Sequence, residues 1–420
     1  MNMRTKKTFI LILTTLFMAL IFATCQSDVT GPDSIKAELP RELTASEKQL
    51  VEADQSFSYD IFCQTVSYDT EEENLFISPL SISMALAMTL NGADGETYEQ
   101  MKEVLYLSGM DTEEVNQAFQ SLIELLVTVD PKVQMKIANS VWHDQGLPVK
   151  EDFLQRLEEF YEAEVAGLDF SDPGSVDRIN SWVDENTESK IEKILDKIPA
   201  EMVMYLINAI YFQGDWLSKF DKDETRKADF HLENGETVQV DMMSQKERFA
   251  VHFSEEVRMI ELPYGDSLFT MTVLMPGNAE TPLDQFIDEK VTQENLSDWR
   301  SNLHVSDVPL ELPKFEMEYE ITYNDILKAM GMEQAFDEGL ADFSGIADVS
   351  PQNLYISEVK HKTFVSVDEE GTEAAAVTSV GVGLTSLPPS MIVNRPFVFL
   401  IYERESGTNL FMGKMKNPTL

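Results

Sequence analysis

The sequence predicts an α+β fold. Helical periodicity dominates the first half of the chain, apolar strand-like runs dominate the second, and no linker, repeat or low-complexity tract interrupts residues 45–420. Hydrophobic residues at 43% and aromatics at 10% supply a large core, so the chain folds despite a net charge of −42. One large domain behind an N-terminal extension is the expected organisation.

Residues 1–24 read as an export signal: Arg4, Lys6 and Lys7 precede an apolar run from Phe9 to Phe22, shorter than the roughly 20 residues of a spanning helix. Ile21-Phe22-Ala23-Thr24-Cys25 resembles a bacterial lipobox, which implies lipid on Cys25; ordinary signal cleavage nearby is the alternative. The expected location is the outer membrane or cell surface, as a lipoprotein, or the extracellular medium. Residues 25–44, with Gly31-Pro32, Pro40 and scattered charge, read as a tether. Cys63 reads as a small buried hydrophobe, with a Cys25–Cys63 disulfide as the other reading.

The fold opens with a helix, since Thr44 and Glu47 have capping-box spacing and Leu50, Ala53, Phe57 and Ile61 recur on one face. Residues 78–88 are apolar nearly all round, which predicts a buried second helix. Helical patterns also cover about 97–106, 112–128, 150–163, 175–187 and 322–332. Strands are expected at 136–142, 205–212, 259–262 and 269–275, the last closed by Pro276-Gly277. Residues 397–402 and 410–414 end the chain as a hairpin pair.

The acidity excludes several function classes. Nothing in a chain of this charge would release counterions from nucleic acid, and anionic lipid surfaces and sulfated polysaccharides are equally disfavoured. The five histidines, His143, His231, His252, His304 and His361, show no metal-ligand spacing, and neither G-x-S-x-G nor a phosphate-binding loop occurs. No catalytic residue, metal or cofactor is expected.

Function concentrates in residues 369–390. Their even positions, Thr372, Ala374, Ala376, Thr378, Val380, Val382 and Leu384, are all small or apolar, while the odd ones are more polar or minimal. That alternation gives one buriable face, yet the Gly and Ala content makes a poor strand in isolation. A loop able to become a strand satisfies both facts; a Gly/Ala-rich surface linker leaves the alternation unexplained.

With these residues the chain resembles the serpin family over nearly all of 45–420, and specifically its inhibitory type. Glu369-Glu370-Gly371-Thr372-Glu373-Ala374-Ala375-Ala376 is similar to the hinge of the reactive-centre loop. Asn74 to Ile82 resembles the start of the family's buried second helix, and Asn208 to Trp216 the segment running from strand to breach. Leu354 to Lys362, Asn394-Arg395-Pro396-Phe397 and Phe411 to Lys414 complete five motifs in family order.

The resemblance implies a serpin fold, a multi-helix bundle packed on three β-sheets, with an exposed reactive-centre loop at about 369–390. It implies a monomeric suicide-substrate inhibitor of serine proteases, and of some cysteine proteases. The protease forms an acyl-enzyme on the loop, which then inserts into the main sheet before deacylation. Family spacing from the hinge, checked against Pro388-Pro389, places the reactive bond at Thr385-Ser386, with Leu384 and Val382 as alternative sites. Thr385 suits elastase-like and subtilisin-like pockets, Leu384 a chymotrypsin-like one. No Arg or Lys lies between 371 and 394, so an Asp-bottomed trypsin-like pocket is unserved.

Ser78, Ser81, Asn208 and His361 match the family's shutter and Trp216 its breach, although a plain core tryptophan is an equal reading. Some members bind heparin through the helix that here covers about 112–128, but Glu113 and Glu114 make that stretch acidic. The alternative to inhibition is a non-inhibitory serpin or a surface-displayed binding protein.

Overall fold

The computed structural model describes residues 38–70, 73–372 and 390–420. The signal segment, Cys25 and most of the tether fall outside these residues. So do Glu373, Ala374, Ala375, Ala376, Val382, Leu384, Thr385 and Ser386.

Helix α1 (Ala45–Tyr68) starts on the reciprocal cap that the spacing predicts: Thr44 Oγ1 accepts the Glu47 N–H, and the Glu47 carboxylate accepts the Thr44 N–H. Its inner face buries Leu50, Ala53, Phe57 and Ile61. Strand β1 (Asn74–Ile77) leads into α2 (Pro79–Leu90), capped by Ser78 with Pro79 in its first turn. Every α2 residue except Ala85 is buried, as an all-round apolar helix requires. Next come α3 (Gly95–Val104) and α4 (Thr112–Leu126), the latter with its own Asp111–Glu114 capping box.

The middle of the chain alternates strand and helix: β2 (Val133–Asp144), α5 (Glu151–Tyr161), β3 (Glu164–Leu168), α6 (Gly174–Asn186) and β4 (Met204–Asp215). A run of antiparallel strands follows: β5 (Arg226–His231), β6 (Thr237–Phe253), β7 (Val257–Pro263) and β8 (Phe269–Pro276). After α7 (Leu283–Lys290) and α8 (Gln293–Ser301) come β9 (His304–Pro313), β10 (Phe315–Thr322), α9 (Asn324–Ala329) and β11 (Lys360–Val367). The chain ends with β12 (Gly371–Thr372), β13 (Met391–Ile392), β14 (Phe397–Glu403) and β15 (Asn409–Met415). The last two pair antiparallel, Phe397 opposite Met415, as the expected hairpin.

Three readings of the sequence fall short. The helix expected over 322–332 contracts to α9, because Phe315, Met317, Tyr319 and Ile321 alternate with exposed glutamates and form a strand up to Thr322. Helices α7 and α8 bury only three and two residues respectively, too few to register as a periodic face. Strand β6 is long, but Gln245-Lys246-Glu247-Arg248 interrupts its apolar alternation.

Among the described residues the strands form three sheets. One has nine strands in the order β1-β15-β14-β8-β7-β6-β9-β13, with β5 joined to β6. The second runs β12-β4-β2-β3 and the third is the pair β10-β11. The main core lies between these sheets and α1 and α2, while a smaller one, with Trp142, Trp182 and Val183, packs α6 onto Tyr205, Ile207 and Ala209 of β4. No ladder joins β4 to β11. Beyond the two-residue β12, no described strand covers their facing edges.

Candidate functional site

The hinge end of this opening is built around Gly371. Its φ is +144°, and a Cβ there would lie 2.1 Å from the Gly214 carbonyl oxygen, so no other residue fits without displacing the backbone. Gly371 pairs with Asp215 and Thr372 with Gly214, which puts β12 on the free edge of β4. Trp216 fixes this register. Its backbone N–H donates to the Glu370 carbonyl at 2.8 Å and its indole N–H to the Asp368 carbonyl at 2.9 Å. The indole is buried and stacks on Tyr264 at 4.4 Å, as a core tryptophan does.

Both hinge glutamates are buried and each is met by a lysine. Glu369 accepts from Lys314 Nζ at 2.7 Å and from Thr225 Oγ1 at 2.7 Å, while Glu370 is paired with Lys222. Burial opposes the charge on Glu369, but the Lys314 and Thr225 hydrogen bonds outweigh it and hold the carboxyl below its usual range.

Away from the hinge the opening widens into a cavity of about 680 Å³. Residues 202–210 line one wall and residues 352–362 the other. Ser81, Ile82 and Ala85 of α2 close one face, and Val183 of α6 with its C-cap Thr187 the opposite face, so the cavity passes through the sheet layer. A smaller cavity between Ile210 to Phe212 and Phe364 to Ser366 continues the line towards the hinge.

The four residues that match the family's shutter divide between the walls. On the β11 side, His361 Nε2 accepts the Ser78 N–H at 3.0 Å, and Ser78 Oγ donates to the Leu410 carbonyl at 2.7 Å. Ser78 Oγ also accepts the Ser81 N–H at 3.3 Å. Burial pushes the His361 pKa down to about 3, so the ring is neutral with its proton on Nδ1. On the β4 side, Asn208 Nδ2 donates to Asn139 Oδ1 at 2.8 Å, and Asn139 donates in turn to the Tyr161 carbonyl. Asn208 Oδ1 has no partner, and no hydrogen bond crosses from Asn208 to His361 among the described residues.

The sequence gives no local sign of Lys314, Lys222 or Asn139. The one available signal is electrostatic: two buried glutamates require cations, and Lys222 is the basic residue of the acidic run 221–224. Cys63 is a free thiol facing the Ile287 and Val291 carbonyls at 3.8 Å, and burial, Asp60 and Asp288 push it up to about 12, which leaves it inert.

Comparisons with known proteins agree with this architecture. The family model described as Serpin (serine protease inhibitor) matches residues 52–418. The leukocyte elastase inhibitor of Equus caballus is 35% identical over 384 residues, covering 88% of this chain and 100% of that one. An uncharacterized serpin-like protein of Thermococcus kodakarensis is also 35% identical, over 89% of this chain and 86% of its own. The native-state crystal structure of the thermophilic serpin tengpin superposes with a TM-score of 0.80 at 33% identity, over 90% of this chain and 95% of that one. This is a family of protease inhibitors in general rather than of enzymes, and relatives named as inhibitors match over their whole length. The protein belongs to the serpin family.

Proposed function

We propose that the protein is a suicide-substrate inhibitor of serine proteases, cleaved at Thr385-Ser386, whose loop then enters the opening between β4 and β11. One observation carries this reading: the two residues of β12 pair with the edge of β4 that no other described strand occupies. Continuing the Gly371–Asp215 and Thr372–Gly214 register sets Ala374 opposite Phe212, Ala376 opposite Ile210 and Thr378 opposite Asn208. Val380 then meets Leu206 and Val382 meets Met204, the first residue of β4.

Directly opposed residues in an antiparallel pair share a face. Asn208 approaches Met84 of α2, so the even-numbered β4 residues look towards the main core and the small or apolar set of the loop would look there too. Thr385 lies three residues beyond Val382, past the end of β4. Insertion would therefore carry an acylated Thr385 along a strand of 12 residues, about 40 Å, before water completes deacylation.

The target class follows from the loop. Thr385, Leu384 and Val382 serve elastase-like, subtilisin-like or chymotrypsin-like pockets, and the relatives named leukocyte elastase inhibitors support the first of these. The acidic first turn of α4 supports an inhibitor that works without heparin. Export behind the N-terminal signal, with Cys25 lipidated or the chain secreted, places it where such proteases act. Incubation with elastase, chymotrypsin and subtilisin should give SDS-stable complexes, with mass spectrometry locating the cut within 382–386. Complete cleavage without any complex would sink the inhibitory reading in favour of a non-inhibitory serpin.

A further inference from the structure

The second root of the loop carries a charge imbalance that insertion does not use. Arg258 on β7 holds its guanidinium over the Phe253 ring, 4.4 Å from the centroid, and donates to the Ser390 carbonyl. Arg395 donates to the Pro276 carbonyl at 2.8 Å, and Pro276 lies opposite Val257 in the β7–β8 ladder. Both half-buried guanidiniums therefore occupy the same end of that strand pair, where the described chain resumes at Ser390.

Neither arginine has a carboxylate partner among the described residues. On the adjoining β6–β7 turn, Glu256 pairs with Lys290, and Glu255 bonds to neither guanidinium. Between 373 and 389 the single charged residue is Glu373, at the opposite root. Burial and then the Arg258 charge depress the Arg395 pKa, as expected of like charges held together without an acid. In a chain with 74 acids against 32 bases, two bases left uncompensated in one place stand out.

The Thr385-Ser386 bond lies within five residues of Ser390, at most about 16 Å of extended chain. A protease seated on that bond covers the distance, so the rim of its prime-side cleft comes over this root. We propose that Arg258 and Arg395 form a subsidiary docking subsite for a carboxylate on the prime-side rim of the target protease. The inhibitor then selects for an acidic rim as well as for a small or medium apolar primary pocket. At long range the overall charge repels an acidic partner; in contact, half-buried charges act through a lower dielectric and dominate locally.

The proposal rests on the inhibitory reading, so its test is kept separate from insertion. The full chain is titrated with an elastase-type protease inactivated by serine-to-alanine replacement at its nucleophile and carrying prime-side acids. A second protease has those acids replaced by amides. Because both arms use one scaffold, the global charge cancels in the double-mutant cycle. Arg395→Gln should weaken binding about 10-fold with the acidic rim and less than about 2-fold with the amide rim. Arg395→Lys, which keeps the charge, should restore most of the loss, and Arg258→Gln repeats the measurement at the second position. Thermal unfolding of each variant verifies that it is folded. Equal weakening with both rims, or none with either, overturns the subsite. Loss of SDS-stable complexes with active proteases overturns the inhibitory reading instead, and leaves the binding cycle readable.

Discussion

The hinge end and the middle of the opening between β4 and β11 are built on opposite principles. Around Gly371 the β4 edge is paired, Trp216 holds the backbone of the entering segment, and both buried glutamates meet lysines. In the middle, no ladder among the described residues joins the facing edges of β4 and β11, and Asn208 Oδ1 has no described partner beside a large cavity. Under the proposed mechanism an incoming strand starts where the buried charges are already paired and gains hydrogen bonds as it proceeds, each worth roughly 0.5–1.5 kcal/mol net. On that reading the fastened end sets when insertion begins and the open middle supplies what drives it.

If that contrast is right, damage at the entrance should abolish trapping outright. Thr372→Arg places a charge at the first step of insertion, where burial without a partner is prohibitive, and should raise the inhibitor consumed per protease trapped by at least about 10-fold. Full yields of SDS-stable complex from that variant would remove the entrance from the mechanism. Gly371→Ala should destabilise the native fold by about 1–3 kcal/mol in urea unfolding, because the new Cβ meets the Gly214 carbonyl at a positive φ.

Glu369→Gln keeps the shape but removes the charge that Lys314 and Thr225 serve, and should cost about 1–3 kcal/mol. In the middle, His361 provides a pH signature. Its native pKa near 3 lies below the unfolded value of about 6.5, so as pH falls from 6.5 towards 3 the unfolded chain binds a proton that the native state refuses. Stability should drop by up to about 1.4 kcal/mol per pH unit relative to His361→Gln, and parallel curves for the two proteins would refute this. The smallest effect is expected for Asn208→Ala, below about 1 kcal/mol on the native state, since it removes one donor and one unpartnered acceptor together. A loss above 3 kcal/mol would mean that the middle is fastened after all.

What was legible in the sequence was local or periodic. The Thr44–Glu47 cap acts across three residues, α2 declares its burial by being apolar all round, and the even face of the loop shows as period two. The partners of the hinge acids were not legible, because Lys314 lies 55 residues from Glu369 and Lys222 lies 148 from Glu370. The opening itself was hidden for a different reason. Tyr205 to Phe212 reads as an ordinary buried strand, and hydropathy does not reveal that one edge of a strand is left without a neighbour.

The order of the nine-stranded sheet has a kinetic consequence. Strand β15 lies between β1 and β14, so Asn74 waits for Met415, far along the chain, before its edge is covered. Such long sequence separation slows folding and postpones closure of the main core until β15 has been made. The β2–β4 pair and its α6 cover need no residue beyond Asp215 and can form much earlier. A polypeptide assembled in that order fixes one half of the parted layer long before β11 exists, which gives a folding route to a native state in which no described ladder joins β4 to β11.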